Sequence, residues 1–334
     1  MELIIPKIDD FHVHLRYDER MNIATPLLSD GGVGRALVMP NTVPPINNFN
    51  DADKYKESLL NLNSEIEFLM TIKLSLDTEP DTIIEAAEMG ILAAKQYPTG
   101  VTTNSKNGID SIAQMYPIYE AMSDAKMVLS IHAEMPDTDI FQAEKLYLPE
   151  VQKISEDFPD LRIVIEHIST ARGIETICQM SDNVAATITP HHMLFTFHDI
   201  IDSCIYPHRF CKPVPKNYAD RRKIIETIKQ GDKKFFFGSD SAPHFRENKE
   251  ANQITPGVFT TPITAQLLAY IFEKNDMINR LYNFAGKFGA DFYGVAHQKN
   301  MITLTNTEKT TIPKDYGNIV PLLPGKSINW KKVD

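Results

Sequence analysis

Eight short apolar stretches, six of them carrying at or near their ends a polar residue of a chemically useful kind, constrain this chain most. In order they are "LIIPKIDDFHVH", "GRALVMPN", "EIEFLMTIKL", "ILAAKQYP", "KMVLSIHAE", "RIVIEHIS", "NVAATITPHH" and "KKFFFGSDSA". Most are β-branched or aromatic and continuously apolar, the composition of strands buried on both faces of a parallel sheet. Longer amphipathic stretches separate them and predict helices over 51–63, 79–90, 110–125, 139–158, 170–181 and 218–231. Strand and helix alternate through eight strands, which predicts an α/β fold of the (β/α)8 TIM-barrel class. Two extra C-terminal helices, near 261–274 and 277–293, should pack outside the barrel. The remainder, to Asp334, is polar and carries no readable chemistry. No Gly/Ser linker or low-complexity segment marks a boundary, so residues 1–334 are expected to form a single barrel domain.

The charge balance narrows the function. A net charge of −10 argues against a general nucleic-acid or anionic-membrane surface, so an anionic small-molecule ligand would need a local cationic site. The three cysteines, Cys178, Cys204 and Cys211, form no C-x-x-C pair and no even set, which fits a reducing cytoplasm. No segment has the roughly 18 apolar residues of a membrane span, and the N-terminus lacks the basic-then-apolar pattern of a signal peptide.

A barrel gathers the C-terminal ends of all its strands at one mouth, where catalytic groups sit. His12 and His14 end the first run, Asn41 the second; Lys95 lies near the end of the fourth, His132 ends the fifth, His167 the sixth and Asp240 the eighth. On a strand, i and i+2 share a face, so His12 and His14 project together, with Val13 opposite. Each residue alone has a plainer reading. A lone histidine is usually a satisfied core or rim residue, Lys95 could snorkel to solvent, and Asp240 could cap a helix. Together, four histidines, a lysine and an aspartate at successive strand ends suggest a divalent metal, zinc first. Five conventional ligands exceed what one catalytic zinc uses, so two bridged metals fit better.

This pattern resembles the amidohydrolase superfamily and, within it, the dihydroorotases of the shorter bacterial type. The residues that carry it are "DFHVHLR", "VMPNTVPP", "AAKQYPTGVTTNS", "IHAE", "EHIST", "TPHHMLF" and "GSDSAPH", in order from the start of the chain to past Asp240. The resemblance implies a cyclic amide hydrolase that interconverts N-carbamoyl-L-aspartate and L-dihydroorotate in pyrimidine biosynthesis. It implies two Zn2+ per chain, one held by His12, His14 and Asp240 and the other by His132 and His167. Lys95, carboxylated to a carbamate, and a hydroxide would bridge them. Asp240 would serve as general base and then acid. Arg16, Asn41 and His244 would hold the substrate carboxylate; Arg16 stands two residues after His14, on the same strand face, and a guanidinium can grip a carboxylate through two parallel bonds. Thr102 and Thr103 would tip a mobile loop that closes over substrate, with Gly100 and Asn104 suited to its flexibility.

Two positions depart from the family pattern. Lys212 stands where an apolar residue is usual, at a backbone substrate contact. Pro256 stands where a small residue donates a backbone N–H that proline lacks, so that contact is lost or moved to Gly257. His191, His192, His198 and His208 are expected to be rim or supporting residues. A homodimer is expected. The nearest alternative is a hydantoinase or allantoinase with the same ligands, and Arg16, Asn41 and "SDSAPH" favour an acidic substrate over it. A metal-free interaction protein on a dead barrel should have lost ligands, and none is missing.

Overall fold

A computed structural model of the chain describes residues 1–102, 104, 105 and 108–333. The first apolar run proves to be two strands rather than one. Strand β1 (Glu2–Pro6) leaves the barrel and pairs antiparallel with β10 (Met301–Thr305), which in turn pairs with Lys331–Lys332. Its alternating exposure is that of a strand with one wet face, whereas every residue of β2 (Ile8–Val13) is buried. The C-terminal segment, silent in sequence, thus completes a small sheet with the N-terminus.

From β2 the chain runs through β3 (Val33–Val38), β4 (Glu67–Lys73), β5 (Ala93–Gln96), β6 (Val128–Ile131), β7 (Ile163–Ile165), β8 (Val184–Ile188) and β9 (Phe235–Phe237). These eight strands pair in sequence order, and every adjacent pair is parallel. The sheet closes just beyond β9. Ser241 bridges Val13, the Asp240 amide donates to the His12 carbonyl at 2.8 Å, and the His14 amide donates to the Ser241 carbonyl at 2.9 Å.

The two-residue period of the strands sorts the interior into layers. Phe11, Leu37, Ala93, Val128, Val164, Ala185 and Phe236 form an apolar layer low in the barrel. A step of two residues up these strands reaches Met39, Lys95, Ser130, Glu166, Thr187 and Gly238, and a further step reaches Asn41, Tyr97, His132, Thr189 and Asp240. Strand β2 breaks the count usefully. Its register against β3 shifts between Asp10 and Val13, and Phe11 and His12 both serve the interior, one low and one at the mouth.

The predicted helices between strands are present. Phe49–Leu62, for example, buries Ala52, Tyr55 and Leu59, and its N-cap Asn48 accepts from the Asp51 amide. The expectation for 277–293 needs correction. This stretch is interrupted by a 3-10 turn at Ile278–Arg280 and a π-helical turn over Asn283–Lys287. Its last helix, Phe288–Tyr293, does not lie on the outer wall but plugs the barrel floor. Ala290 and Tyr293 join the interior apolar layer, and the Tyr293 ring stacks on Phe11 at 4.9 Å and 5°. An open floor would leave the Phe11 and Phe236 rings in water, so burying them fixes where this helix goes.

Gly289 sits where that plug meets the floor. A Cβ built there would lie 2.3 Å from two ring carbons of Phe11. Alanine ordinarily favours a helix over glycine by about 1 kcal/mol. Here the Phe11 ring is trapped against Tyr293 and Phe236, and overpacking a filled core costs roughly 1–3 kcal/mol. Gly289→Ala is therefore expected to lower the urea midpoint, and a raised midpoint would refute this packing.

Candidate active site

The mouth of the barrel brings the strand-end residues together. His12 and His14 place their Nε2 atoms 3.3 Å apart, as their spacing predicted. Asp240 Oδ1 lies 3.4 Å from His12 Nε2 and 3.1 Å from His14 Nε2. All three side chains are buried, and their donor atoms fall within 4.8 Å of one another. His167 packs at a tilt against His12 and edge-on against His132, with ring centroids at 5.2 and 4.6 Å. Lys95 points up between them from β5 and is fully buried, with its Nζ 5.3 Å above the Tyr97 ring. Arg16, Asn41, Tyr97, Thr102, Lys212, Pro256 and Gly257 complete the walls of a pocket of about 360 Å³ around the histidines and Asp240.

Backbone conformation does part of the aiming. Arg16, His167 and Asp240 have φ values of 66°, 45° and 46°, in the left-handed region that costs a non-glycine residue about 1–2 kcal/mol. The surroundings hold them there. The His167 amide donates to Thr187 Oγ1 at 2.7 Å and the Asp240 amide to the His12 carbonyl. The turn at His167 lets Glu166 and His167, neighbours in sequence, both face the interior. Arg16 likewise lies beyond the end of β2, so the expected strand face stops short of it. Its turn nonetheless keeps the guanidinium on the pocket wall, with the carbonyl of Arg16 accepting from the Tyr55 hydroxyl.

Electrostatics favour anionic carboxylates and, except at His12, neutral imidazoles; burial would lower His12 too, but Glu166 and Asp240 against its ring raise it. Burial, aided by the Arg16 charge, lowers His14 to about 4, and burial lowers His132 and His167. Burial alone would raise Asp240, but His12 and His14 against its oxygen hold it well below the carboxylate range. Glu166, fully buried, would also be raised by burial; the charges of His12 and Lys95 and three donated bonds bring it to about 2. Those donors are His12 Nδ1 at 2.7 Å, Thr187 Oγ1 at 2.6 Å and the Ser130 hydroxyl.

The donor set fits a metal. Glu166 on His12 Nδ1 and Glu134 on His132 Nε2, at 2.9 Å, are the carboxylate–imidazole pairs that orient metal-binding histidines. His167 Nδ1 and Lys95 Nζ are buried and find no hydrogen-bond partner among the described residues. An unpaired buried ammonium costs several kcal/mol, and a cation–π contact returns about 0.5–2. Lys95 is accordingly shifted down by burial to about 8.

Other expectations resolve individually. His244 is buried behind Arg16, with its Nε2 2.9 Å from Arg16 Nη2. Pro256 lines the pocket, but the Gly257 amide donates to the Phe210 carbonyl at 2.9 Å, so the missing proline N–H is not replaced there. Thr102 lines the pocket, while Thr103 lies outside the described residues. Asn104, expected to lend flexibility, ties the loop down: its side chain donates to the Asn41 carbonyl at 2.9 Å and its carbonyl accepts from Lys73 Nζ at 3.0 Å. His191, His192 and Cys211 form a second buried cluster. Both His192 nitrogens are engaged there, by Thr189 Oγ1 at 2.8 Å and the Pro213 carbonyl at 3.1 Å, which marks it as structural. His198 is exposed, and His208 pairs with Glu250 at 2.9 Å.

Sequence reading missed Tyr97, Glu134, Glu166 and Lys249. Tyr97 and Glu134 stand two residues after Lys95 and His132, so the strand period could have found them. Nothing in sequence showed Lys249, whose buried Nζ donates to the carbonyls of Phe210, Thr255 and Gly257 at 3.0, 2.9 and 2.7 Å. It staples together the two loops that form the Lys212–Pro256 wall.

Glu166→Gln tests the orienting role. The amide keeps the size but replaces one acceptor oxygen with a donor, against three donors. Metal affinity, measured by chelator competition, is expected to fall about 10–100-fold. Unchanged affinity would leave Glu166 a packing residue.

No family model matches the chain. Individual proteins do. It is 40% identical over 335 residues to a probable dihydroorotase of Schizosaccharomyces pombe, covering 99% of this chain and 98% of that protein. It is 38% identical over 344 residues to a dihydroorotase of Shewanella denitrificans, covering 100% of this chain and 99% of that one. The fold superposes with a TM-score of 0.93, at 34% identity, on a crystal structure of dihydroorotase in complex with 5-fluoroorotic acid from Saccharomyces cerevisiae, covering 99% of this chain and 98% of that chain.

Proposed function

The chain belongs to the dihydroorotase family, and from that premise we propose how its own residues carry out the reaction. The enzyme is a cyclic amide hydrolase that interconverts N-carbamoyl-L-aspartate and L-dihydroorotate in pyrimidine biosynthesis. The observation that carries the residue assignment is the juxtaposition of a buried His/Asp/Lys cluster with the buried Arg16 guanidinium in one small pocket. The cluster suits amide chemistry, and the guanidinium suits an acidic ring rather than a neutral one.

Arg16 and Asn41 grip the substrate carboxylate, with His244 behind Arg16. Lys212, Pro256 and Thr102 enclose the ring. The cluster would hold two Zn2+, with His12, His14 and Asp240 on one, His132 and His167 on the other, and Lys95 as a carbamate between them, alongside a hydroxide. When bound, the ions polarise the ring amide carbonyl and acidify water. Asp240 supplies the proton transfer. In hydrolysis its carboxylate accepts the proton of the attacking water and delivers it to the departing ring nitrogen, and in ring closure the same transfer runs backward. Its ionised state in the buried site suits it to begin as base. Lys95 is positioned for carboxylation because its Nζ is buried without a partner, and a carbamate would replace an uncompensated cation with two anionic oxygens. We place the enzyme in the cytoplasm, acting as a homodimer of single-domain chains; no helix is long and apolar enough to cross a membrane among the described residues.

Turnover of dihydroorotate, set beside hydantoin, dihydrouracil and allantoin, tests the reading directly. Preference for a neutral ring would overturn it. Lys95→Ala is expected to lose at least one metal by elemental analysis and to drop in turnover by orders of magnitude, with partial, concentration-dependent rescue by acetate or propionate. Near-normal activity without added acid would rule out the bridge. Arg16→Met should keep its metal yet lose about 2–5 kcal/mol in kcat/KM for dihydroorotate, the cost of a lost charge-assisted pair. An equal loss on a neutral cyclic amide would make Arg16 structural.

A further inference from the structure

His244 lies between two guanidiniums. Arg16 Nη2 is 2.9 Å from its Nε2, and Arg20 Nη1 is 3.2 Å from its Nδ1. Arg16 comes from the turn after β2, and Arg20 from the short helix Glu19–Ala24 that follows it. Arg20 is itself fixed. Asp18, the N-cap of that helix, accepts from Arg20 Nε at 2.9 and 3.2 Å and again from Nη2. Arg16 also donates to the Pro243 carbonyl at 3.3 Å but forms no ion pair among the described residues.

This arrangement contains a conflict. A guanidinium only donates, and a neutral imidazole has one N–H and one lone pair. Two cations flank this buried ring, so it is neutral, as burial and the charges of Arg16 and Arg20 also dictate. One of its two contacts therefore sets an N–H against an N–H. Which one is decided by which arginine takes the lone pair. Arg20 is anchored by a carboxylate and has only the Nδ1 side to serve. Arg16 has a free choice, because it lines the pocket.

We propose that Arg20 is a positioning residue for the substrate carboxylate: it holds the His244 lone pair on Nδ1, so that His244 presents an Nε2–H beside the Arg16 guanidinium and the ligand-free conflict is relieved only by an anion that accepts from both. The ligand class is a carboxylate on a small ring, and the inference rests on the reading of this pocket as one that takes such a ring. A carboxylate oxygen seated beside the pair, accepting from both Nε2–H and Arg16, turns a repulsive contact into two charge-assisted hydrogen bonds. A neutral ring offers no such relief. Arg20 touches no substrate atom in this scheme; it acts through the tautomer of His244.

The test has two readouts. In ligand-free enzyme labelled with 15N-histidine, with His244→Gln used for assignment, the His244 shifts should report a bare Nδ1 and a protonated Nε2. The opposite tautomer would overturn the proposal. This readout does not depend on turnover, so it stands even if dihydroorotate proves not to be the substrate. Arg20→Met retains the aliphatic stem and removes the donor. It is expected to abolish the tautomer preference and to raise the KM for dihydroorotate about tenfold, with kcat changed less than about threefold, as loss of one charge-assisted contact in the bound state predicts. Arg20→Lys, which can still donate to Nδ1, should restore most of both. An Arg20→Met enzyme with the parental tautomer and KM would refute the idea, and so would a loss that Arg20→Lys fails to repair in an enzyme with unchanged circular dichroism.

Discussion

Closing the barrel and assembling the site are one event. Eight parallel strands leave two edges, and an exposed edge leaves backbone groups unpaired. In this chain the edges meet through residues of the cluster itself: Asp240 donates its amide to the His12 carbonyl, and His14 donates to the Ser241 carbonyl. The Asp10 carboxylate, buried beneath, accepts the Ser239 amide at 2.8 Å and the His12 amide at 3.2 Å. His12 and Asp240, 228 positions apart, are thus held by the seam that makes the fold a barrel. Bending this seam to tune the chemistry would open the sheet. Rigidity at His12, His14 and Asp240 follows from topology and needs no local device.

The same closure forces an unusual charge economy. Lys95, Glu166, Asp240, Asp10 and Arg16 are all buried within the upper barrel or its mouth. Isolated, each charge would cost several kcal/mol. Most are compensated in kind: Glu166 by three donors, Asp10 by two amides, Asp240 by two imidazoles. Lys95 and Arg16 are the exceptions, cations with no carboxylate in contact among the described residues. Both exceptions fall where the proposed chemistry brings an anion, a carbamate at one and the substrate at the other. A fold that left such groups uncompensated without a ligand to meet them would be less stable than its apolar equivalent, so the two unpaired cations are the most informative features of the interior.

Much of this was legible in sequence, and the rest was hidden for identifiable reasons. The barrel could be read because buried parallel strands are continuously apolar and come in a count of eight. The clustering of His12, His14, Lys95, His132, His167 and Asp240 could be read because a barrel gathers its C-terminal strand ends at one mouth. Glu166 could not, because period two places it opposite His167; only the left-handed turn at His167 brings both inward, and no propensity announces that turn. The first run read as one strand because Pro6 and Lys7 interrupt it too briefly to show that its halves lie in different sheets. The helix that plugs the floor looked like any amphipathic C-terminal helix, since its partner, Phe11, lies at the other end of the chain. Lys249 was invisible because its three acceptors are backbone carbonyls, which every sequence has.

The arrangement divides labour between the two sides of the pocket. The histidine, aspartate and lysine side is set by strand ends and would serve any cyclic amide. The opposite side is set by loops: Arg16 from the turn after β2, Asn41 beyond β3, and the Lys212 and Pro256 wall stapled by Lys249. A net charge of −10 repels an acidic substrate at a distance. Specificity for an acid therefore depends on short-range contacts with buried cations, where a low local dielectric strengthens attraction and salt screens it little. Burial already pulls Arg16 down to about 10, so a carboxylate that joins it recovers part of that desolvation cost as well as its own pairing energy. A neutral ring recovers neither. On the proposed assignment, discrimination comes from a site left incomplete without its ligand.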